Sequence, residues 1–244
     1  MTHILALDTS GSACSVALWS DAGLLIGHEE TAQRQHTQRL LPMIKSLLLE
    51  ADVNMSSLDA IAYGRGPGSF TGIRIAAGVA QGLAFGIDCP VIPVSTLAAL
   101  ALRMYQPSET AQPAFACCLD ARMGEVYWAR YQVNPMFNQS PKRIGEITLS
   151  SPKSINVDDL AYAAGNAFQE YPKILESSPL KDRMDAQLVP NALGILQWAQ
   201  PLLNTQQMIA VEQLEPLYIR NKVALTTQER HAATHSTPTG HSVG

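Results

Sequence analysis

An apolar run closed by an aspartate, a short polar turn and a second apolar run opens the chain as HILALDTSGSACSVALW, residues 3–19, and stands again in AFACCLDARMGEVYWARYQV from residue 114. Aligning Asp120 with Asp8, an offset of 112 (120 minus 8), also pairs Leu119 with Leu7, Ala129 with Ala17 and Tyr131 with Trp19. Each stretch predicts strand, aspartate, turn, strand. The pattern is a common one, so coincidence stays open beside internal duplication. With 244 residues the chain has room for two lobes, each able to bury its own core.

The rest of the chain alternates. LLIGHEET (24–31) reads as a third strand at a sheet edge, and HTQRLLPMIKSLLLE (36–50) has the apolar recurrence of a helix at 40, 41, 44, 47 and 48, with Pro42 near its start. LDAIAYG (58–64) and CPVIPVS (89–95) predict buried strands, and TLAALALRMY (96–105) a helix. QPSETAQP (106–113) is the first shift in composition and marks a lobe boundary. Beyond it, IGEITLS is strand-like, DLAYAAGNAF is a strand or short helix with a Gly-Asn turn, and NALGILQWAQPLL is a helix. TTQERHAATHSTPTGHSVG lacks a core face and reads as a tail.

Composition excludes several classes. The net charge of −4 offers no basic field to neutralise a phosphate backbone unaided. Cys14, Cys89, Cys117 and Cys118 form no C-x-x-C, which argues against a zinc site or a disulfide framework and for a reducing compartment. The N-terminus lacks the pattern of a signal peptide, and the apolar region around 75–87 is Gly-rich, interrupted by Gln81 and too short to span a bilayer; a soluble, cytoplasmic protein is expected.

Between the strand at 58–64 and a helix over about 70–86 lies GRGPGSFTG. It has neither the Lys-Ser/Thr of a P-loop nor the G-x-G-x-x-G spacing of a dinucleotide fold, and Ser69 is not in G-x-S-x-G. A helix N-terminus favours anions, yet the preferred reading is a turn capped by Ser69 or Thr71 that brings the helix tightly onto the sheet. Both helices of the first lobe carry surplus hydrophobicity. Met43 and Leu49 lie off the main stripe of the first helix; Ile73, Ile75, Val79, Leu83 and Phe85 surround the axis of the second, where Gly78, Gly82 and Gly86 recur every four residues. A helix apolar nearly all round is buried on more than one side. Packing within the lobe explains much of this. The surplus points to a partner interface over Leu40, Met43, Ile44, Leu47, Ile75, Gly78, Val79, Gly82, Leu83 and Gly86.

The order of elements looks like that of the actin, sugar-kinase and Hsp70 superfamily. LALDTS, GRGPGSFTGIR, VSTLAALA and PLYIR resemble the bacterial TsaB (YeaZ) family over about residues 1–224, with GPGSFTGIR the most specific part. That resemblance implies an α/β chain with a two-lobed, duplicated actin-like ATPase (ribonuclease H-like) fold of mixed sheets flanked by helices. Its lobes would be 1–106, carrying the dimerisation helices, and 107–225, with 226–244 a disordered tail. It further implies a noncatalytic scaffold or activator in the complex that transfers threonylcarbamoyl from threonylcarbamoyl-AMP to the adenosine beside the anticodon of tRNAs reading codons that begin with A. Its partners would be the catalytic paralogue TsaD, the ATPase TsaE, tRNA through the complex, and a second copy when the chain is alone. No membrane is implied, and no cofactor bound tightly by the isolated chain, with ATP or ADP left possible within the complex.

Three features of the residues bear on a noncatalytic reading. ATP-binding members of the superfamily follow the strand-end aspartate with a glycine two positions later, whereas here those positions hold Ser10 and Arg122. The adenine-contacting Gly-Gly turn survives only as Ala164-Gly165-Asn166. Asp8, Thr9, Ser10, Gly66, Gly68, Ser69 and Asp120 are therefore assigned to a vestigial nucleotide or anion site, with weak binding left open. The catalytic paralogue binds metal through two histidines four residues apart on its first helix; here His36 is followed by Leu40, so no metal is expected. The alternatives are a stand-alone ATP-dependent phosphotransferase, a glycoprotease-like peptidase, or a plain binding module for another partner.

Overall fold

The computed structural model describes residues 1–32, 35–104, 112–133, 141–157, 159–175 and 179–219. Residues 106–111 of the expected lobe boundary and the whole tail lie outside these. In the first sheet β1 (His3–Asp8), β2 (Ala13–Ser20) and β3 (Leu25–Thr31) form an antiparallel meander, and β4 (Ala60–Gly66) and β5 (Val91–Ser95) extend it in parallel, giving the order β3-β2-β1-β4-β5. The second sheet contains β6 (Gln112–Asp120), β7 (Val126–Val133), β8 (Lys142–Ser150), β9 (Tyr162–Ala164) and β10 (Met184–Asp185), ordered β10-β9-β6-β7-β8. Read from its meander edge, the second order is the first one repeated. Asp8 faces Ser15 across its hairpin and Asp120 faces Val126 across the other. Sheet order and hairpin position thus bear out the duplication, and the fold is the duplicated actin-like, ribonuclease H-like one.

Alternation within each strand assigns the layers. On one face of the first sheet, Leu5, Leu7, Val16, Leu18, Ile61 and Tyr63 pack against α1 (His36–Glu50) and α2 (Phe70–Ile87). The other face carries Ile4, Ala6, Ala17, Ala60 and Ala62, and these small side chains admit α5 (Ala192–Ala199). α3 (Thr96–Met104) lies between the sheets and buries Leu97, Leu100 and Ala101 against Phe115, Leu119 and Tyr131 of the second. The outer face of that sheet is covered by Phe168 of the short α4 (Ala167–Glu170), with Ile155, Val157 and Leu180.

Several sequence expectations need correction. The chain returns to the first sheet after building the second. Asn191 caps α5, the Ala192 N–H donates to Ser15 Oγ at 2.9 Å, and Ile209 bridges Val91. Residues 191–219, assigned with the second lobe, therefore lie largely on the first, because the alanine-lined face there has no other cover. α1, by contrast, has the expected bounds, running through Pro42 in its second turn and continuing to Glu50. α2 is 18 residues long and apolar enough on length and composition to cross a membrane, so the expectation that it is too short fails. Its Gly72, Ile73, Ala76, Ala77, Ala80 and Ala84 are nonetheless core residues.

Ser69 is the α2 N-cap, its hydroxyl accepting from the Gly72 N–H at 3.3 Å. Gly72 also sets how closely the helix approaches β1: a Cβ there would lie 1.9 Å from the Thr9 carbonyl oxygen, whereas one on Gly78 would meet nothing within 4 Å. Urea denaturation should separate the two. Gly72→Ala is expected to lower unfolding free energy by about 2 kcal/mol or more, and Gly78→Ala to raise it by roughly 0.5–1 kcal/mol through helix propensity.

Candidate functional site: an inter-sheet cleft and an exposed helix face

The two strand-end turns and the start of α2 meet around a cleft of about 610 Å³. Ser10, Gly11, Ser12, Gly68 and Ser69 line one side, and Asp120, Arg122 and Asn166 the other. Of the residues assigned to a vestigial nucleotide or anion site, Ser10, Gly68, Ser69 and Asp120 line this cleft. Asp8, Thr9 and Gly66 do not.

Asp8 lies beneath the turn with 1% of its surface exposed. Its Oδ2 accepts from the Ser10 hydroxyl at 3.0 Å and, weakly, from the Ser10 N–H at 3.4 Å. Oδ1 lies against Gly64 without a hydrogen-bond partner. Burial raises its pKa to about 6, partly opposed by the Ser10 bonds. Thr9 turns its hydroxyl onto the Gly72 carbonyl at 2.7 Å, and the Ser69 N–H donates to the Ser10 carbonyl at 2.7 Å. Polar groups that could have faced a phosphate are thus spent on joining β1 to α2.

Asp120 is closed in another way. Its Oδ1 accepts from the Arg122 N–H at 2.8 Å and the Tyr171 hydroxyl at 3.0 Å, while its own N–H donates to Asn166 Oδ1 at 3.0 Å. The Arg122 guanidinium reaches Oδ2 at 3.2 Å, leaving the arginine 83% exposed above a carboxylate that is 5% exposed. Arg122 also has φ of +62°, a left-handed backbone that favours glycine. Gly165, at φ +122°, is required because a Cβ there would lie 1.9 Å from the Cys118 carbonyl oxygen. This glycine serves to bring two backbones together. The residues around both aspartates do not fit a phosphate cradle.

The metal and nucleophile chemistry of the alternatives finds no support in these positions. His36 reaches the cleft with Nε2 buried and unpartnered, but Leu40, where the second histidine of a pair would stand, is in the core. Burial raises the thiol pKa of all four cysteines, to about 12 for Cys14 and about 11 for Cys89, so none is thiolate at neutral pH.

The expected partner interface divides in two. Leu40, Met43, Ile44 and Leu47 are buried against the first sheet and cannot meet a partner, which corrects that part of the assignment. Met43 in particular belongs to the core stripe of α1; the exposed apolar side chains of that helix are Leu41 and Leu49. On α2, Ile75, Val79 and Leu83 are half-buried, whereas Gly78, Gly82 and Gly86 are exposed, with open space where a Cβ would stand. Phe85 projects beside them, 74% exposed.

Sequence reasoning missed the clamp at the start of this helix. Arg74 stacks on Phe70, its guanidinium carbon 3.6 Å from the ring centroid, and its Nε donates to the Tyr218 hydroxyl at 2.9 Å. The Leu217 N–H donates to the Arg65 carbonyl at 2.7 Å and the Tyr63 hydroxyl to the Glu215 carbonyl at 3.1 Å, fixing residues 215–219 beside the cleft. Tyr171 over Asp120 was missed too. Both contacts join distant parts of the chain, and only the PLYIR string offered a signal.

Asp8 makes stability depend on pH. Its pKa rises from 3.8 in the unfolded chain to about 6 in the fold, so the native state binds the extra proton and stability falls as pH rises from about 4 to 6. Asp8→Asn should flatten that slope, which amounts to a loss on the order of 2–3 kcal/mol. Urea unfolding from pH 4 to 7 checks it, and parallel slopes for the two proteins would remove Asp8 as the source.

Comparison with known proteins agrees with this geometry. Residues 28–239 match the family model described as TsaD: tRNA N6-adenosine threonylcarbamoyltransferase. The chain is 39% identical over 225 residues to the tRNA threonylcarbamoyladenosine biosynthesis protein TsaB of Escherichia coli, covering 91% of this chain and 96% of that one. It is 40% identical over 228 residues to the Haemophilus influenzae protein of the same name, covering 90% and 94%. A solved structure, YeaZ from Pseudomonas aeruginosa, superposes with a TM-score of 0.79 at 42% identity, covering 90% of this chain and all of that one. With identity sustained over nearly the whole length of these relatives and the fold shared, the chain belongs to the TsaB (YeaZ) family.

Proposed function

We propose that this chain is a noncatalytic subunit of the machinery that makes threonylcarbamoyladenosine in tRNA, the process named in the relatives it matches over nearly their full length. The observation that carries the noncatalytic part is the closure of both strand-end turns: Ser10 and the start of α2 enclose Asp8, and Arg122, Tyr171 and Asn166 enclose Asp120. A chain with its phosphate turns filled by its own side chains acts through contact with other proteins. Its docking face is the exposed side of α2, where Gly78 and Gly82 offer bare backbone and Phe85 an apolar knob.

On this reading the occupant of that face in the active complex is the TsaD catalytic paralogue, whose shared fold makes pseudo-symmetric pairing natural. A second copy occupies it when the paralogue is absent. TsaE joins the assembly, and the acidic chain leaves most tRNA contact to its partners. The setting is the cytoplasm. No nucleotide is held tightly by the isolated chain, and ATP or ADP enters only within the complex.

Reconstitution tests both halves. With TsaD, TsaE, tRNA and threonylcarbamoyl-AMP, modified tRNA should form only when this chain is added, and product indifferent to its presence would sink the accessory role. Gly82→Leu should abolish both association and stimulation while the monomer keeps its thermal transition. Normal association by that variant would rule out the α2 face.

A further inference from the structure

Two exposed aromatic rings stand at the mouth of the cleft between the strand-end turns. Phe70, 43% exposed, begins α2, and Tyr218, 45% exposed, lies on the segment fixed beside the cleft; their ring centroids are 6.0 Å apart. Arg74 holds them together. Its guanidinium carbon stands 3.6 Å from the Phe70 centroid and 5.4 Å from that of Tyr218, with Nε donating to the Tyr218 hydroxyl. No described carboxylate comes within 4.0 Å of Arg74. From the other side of the cleft Arg122 projects with 83% of its side chain exposed, held at φ +62° where glycine would be unstrained.

Charge at this mouth runs against that of the whole chain. The net charge is −4, yet among the described residues that line the cleft Asp120 is the one carboxylate, and it is 5% exposed beneath Arg122. The accessible charge is therefore cationic. The cleft has no phosphate cradle, because the N–H groups of Ser10, Ser69 and Arg122 are bonded within the chain. A free nucleoside polyphosphate depends on such groups and fits poorly. Single-stranded nucleic acid asks for different things, a π face for a base and a point charge for each phosphate. At about 610 Å³ the cleft has room for one nucleotide.

We propose that the mouth of this cleft holds one unpaired nucleotide of a single-stranded RNA segment, with its base stacked on Tyr218 and its flanking phosphates on Arg74 and Arg122. The Arg74 guanidinium, already stacked on Phe70, loses little side-chain freedom when it meets a phosphate. This rests on the tRNA-modifying role for the source of the RNA, and it adds the contact that the chain itself makes. Two cations and one ring give weak binding, in keeping with an acidic subunit that leaves most of the tRNA to its partners.

Fluorescence anisotropy of a labelled single-stranded oligoribonucleotide, titrated with the full chain, tests it. The single strand should bind, the same sequence annealed into a duplex should bind about tenfold more weakly or worse, and AMP should not displace it. Log affinity should fall with log salt at a slope of about −1.4, or 0.7 for each of two phosphates. Tyr218→Ala should weaken binding about tenfold with that slope unchanged, whereas Tyr218→Phe, which keeps the ring, should stay within about threefold of wild type. Arg122→Gly should reduce the slope by about 0.7 while the protein keeps its thermal transition, since glycine suits the left-handed backbone there. No binding, equal binding of the duplex, or a slope untouched by Arg122→Gly would overturn the site, as would Tyr218→Ala without effect. Displacement by AMP at concentrations equal to the RNA would make it a free-nucleotide site instead. If the RNA fails to bind while reconstituted tRNA modification still requires the chain, the site falls and the subunit role stands. If the RNA binds as expected while modification is indifferent to the chain, the role falls and the site stands.

Discussion

The close approach of two backbones, Thr9–Ser10 at the end of β1 and Gly68–Gly72 at the start of α2, is the contact on which the first sheet's outer layer depends. A Cβ on Gly72 would stand 1.9 Å from the Thr9 carbonyl oxygen, and one on Gly68 would stand 2.5 Å from that of Ser10. At this separation the Thr9 hydroxyl and the Ser69 N–H can bridge the gap directly. The helix direction is set from its first turn. That direction decides which α2 residues face the sheet, which face solvent, and that Asp8 is sealed beneath. Burial of a carboxylate so enclosed, with no described cation within 4.0 Å of it, makes it hold its proton into a higher pH range.

Duplication has kept the hairpins and let their chemistry diverge. Both aspartates end a central strand and face an antiparallel neighbour. Burial raises the Asp8 pKa to about 6, whereas Asp120, nearer solvent, is matched by the Arg122 guanidinium and the Tyr171 hydroxyl. The two solutions follow from cover. A long helix seals the first turn, while the corresponding α4 spans only Ala167–Glu170, and side chains must shield the second. α5 in turn goes to the first sheet, where alanines leave space for it, and with α3 it becomes the layer between the lobes.

Elements defined by local pattern were legible in the sequence. The hairpins, the bounds of α1 and the Ser69 cap follow from alternation, helical recurrence and the need to satisfy orphan N–H groups, each set by residues a few positions apart. The surface assignment failed where period alone cannot say what a face meets. Met43 lies beside the α1 stripe and so reads as surplus in the sequence, yet a helix lying across a twisted sheet buries a wider arc than one stripe. The destination of α5 and the two aromatic contacts, Tyr218 on Arg74 and Tyr171 on Asp120, join positions far apart in the chain. No periodicity reports such pairs.

Glycine use on α2 separates what the protomer needs from what it does not. Gly72 is required inside, since backbone occupies the space of its side chain. Gly78 and Gly82 stand in the middle of the same helix with open space around them, and each costs about 1 kcal/mol of helix stability relative to alanine. Nothing among the described residues offsets that loss at either position. Bare backbone does let another helix approach to the short end of the 8–10 Å range of interaxial distances, where an exposed ring such as Phe85 makes contacts that intervening side chains would prevent. The helix propensity that these glycines forgo and the docking role proposed for α2 thus have one cause. A protomer whose phosphate turns are closed retains, in that helix, its clearest departure from what its own folding requires.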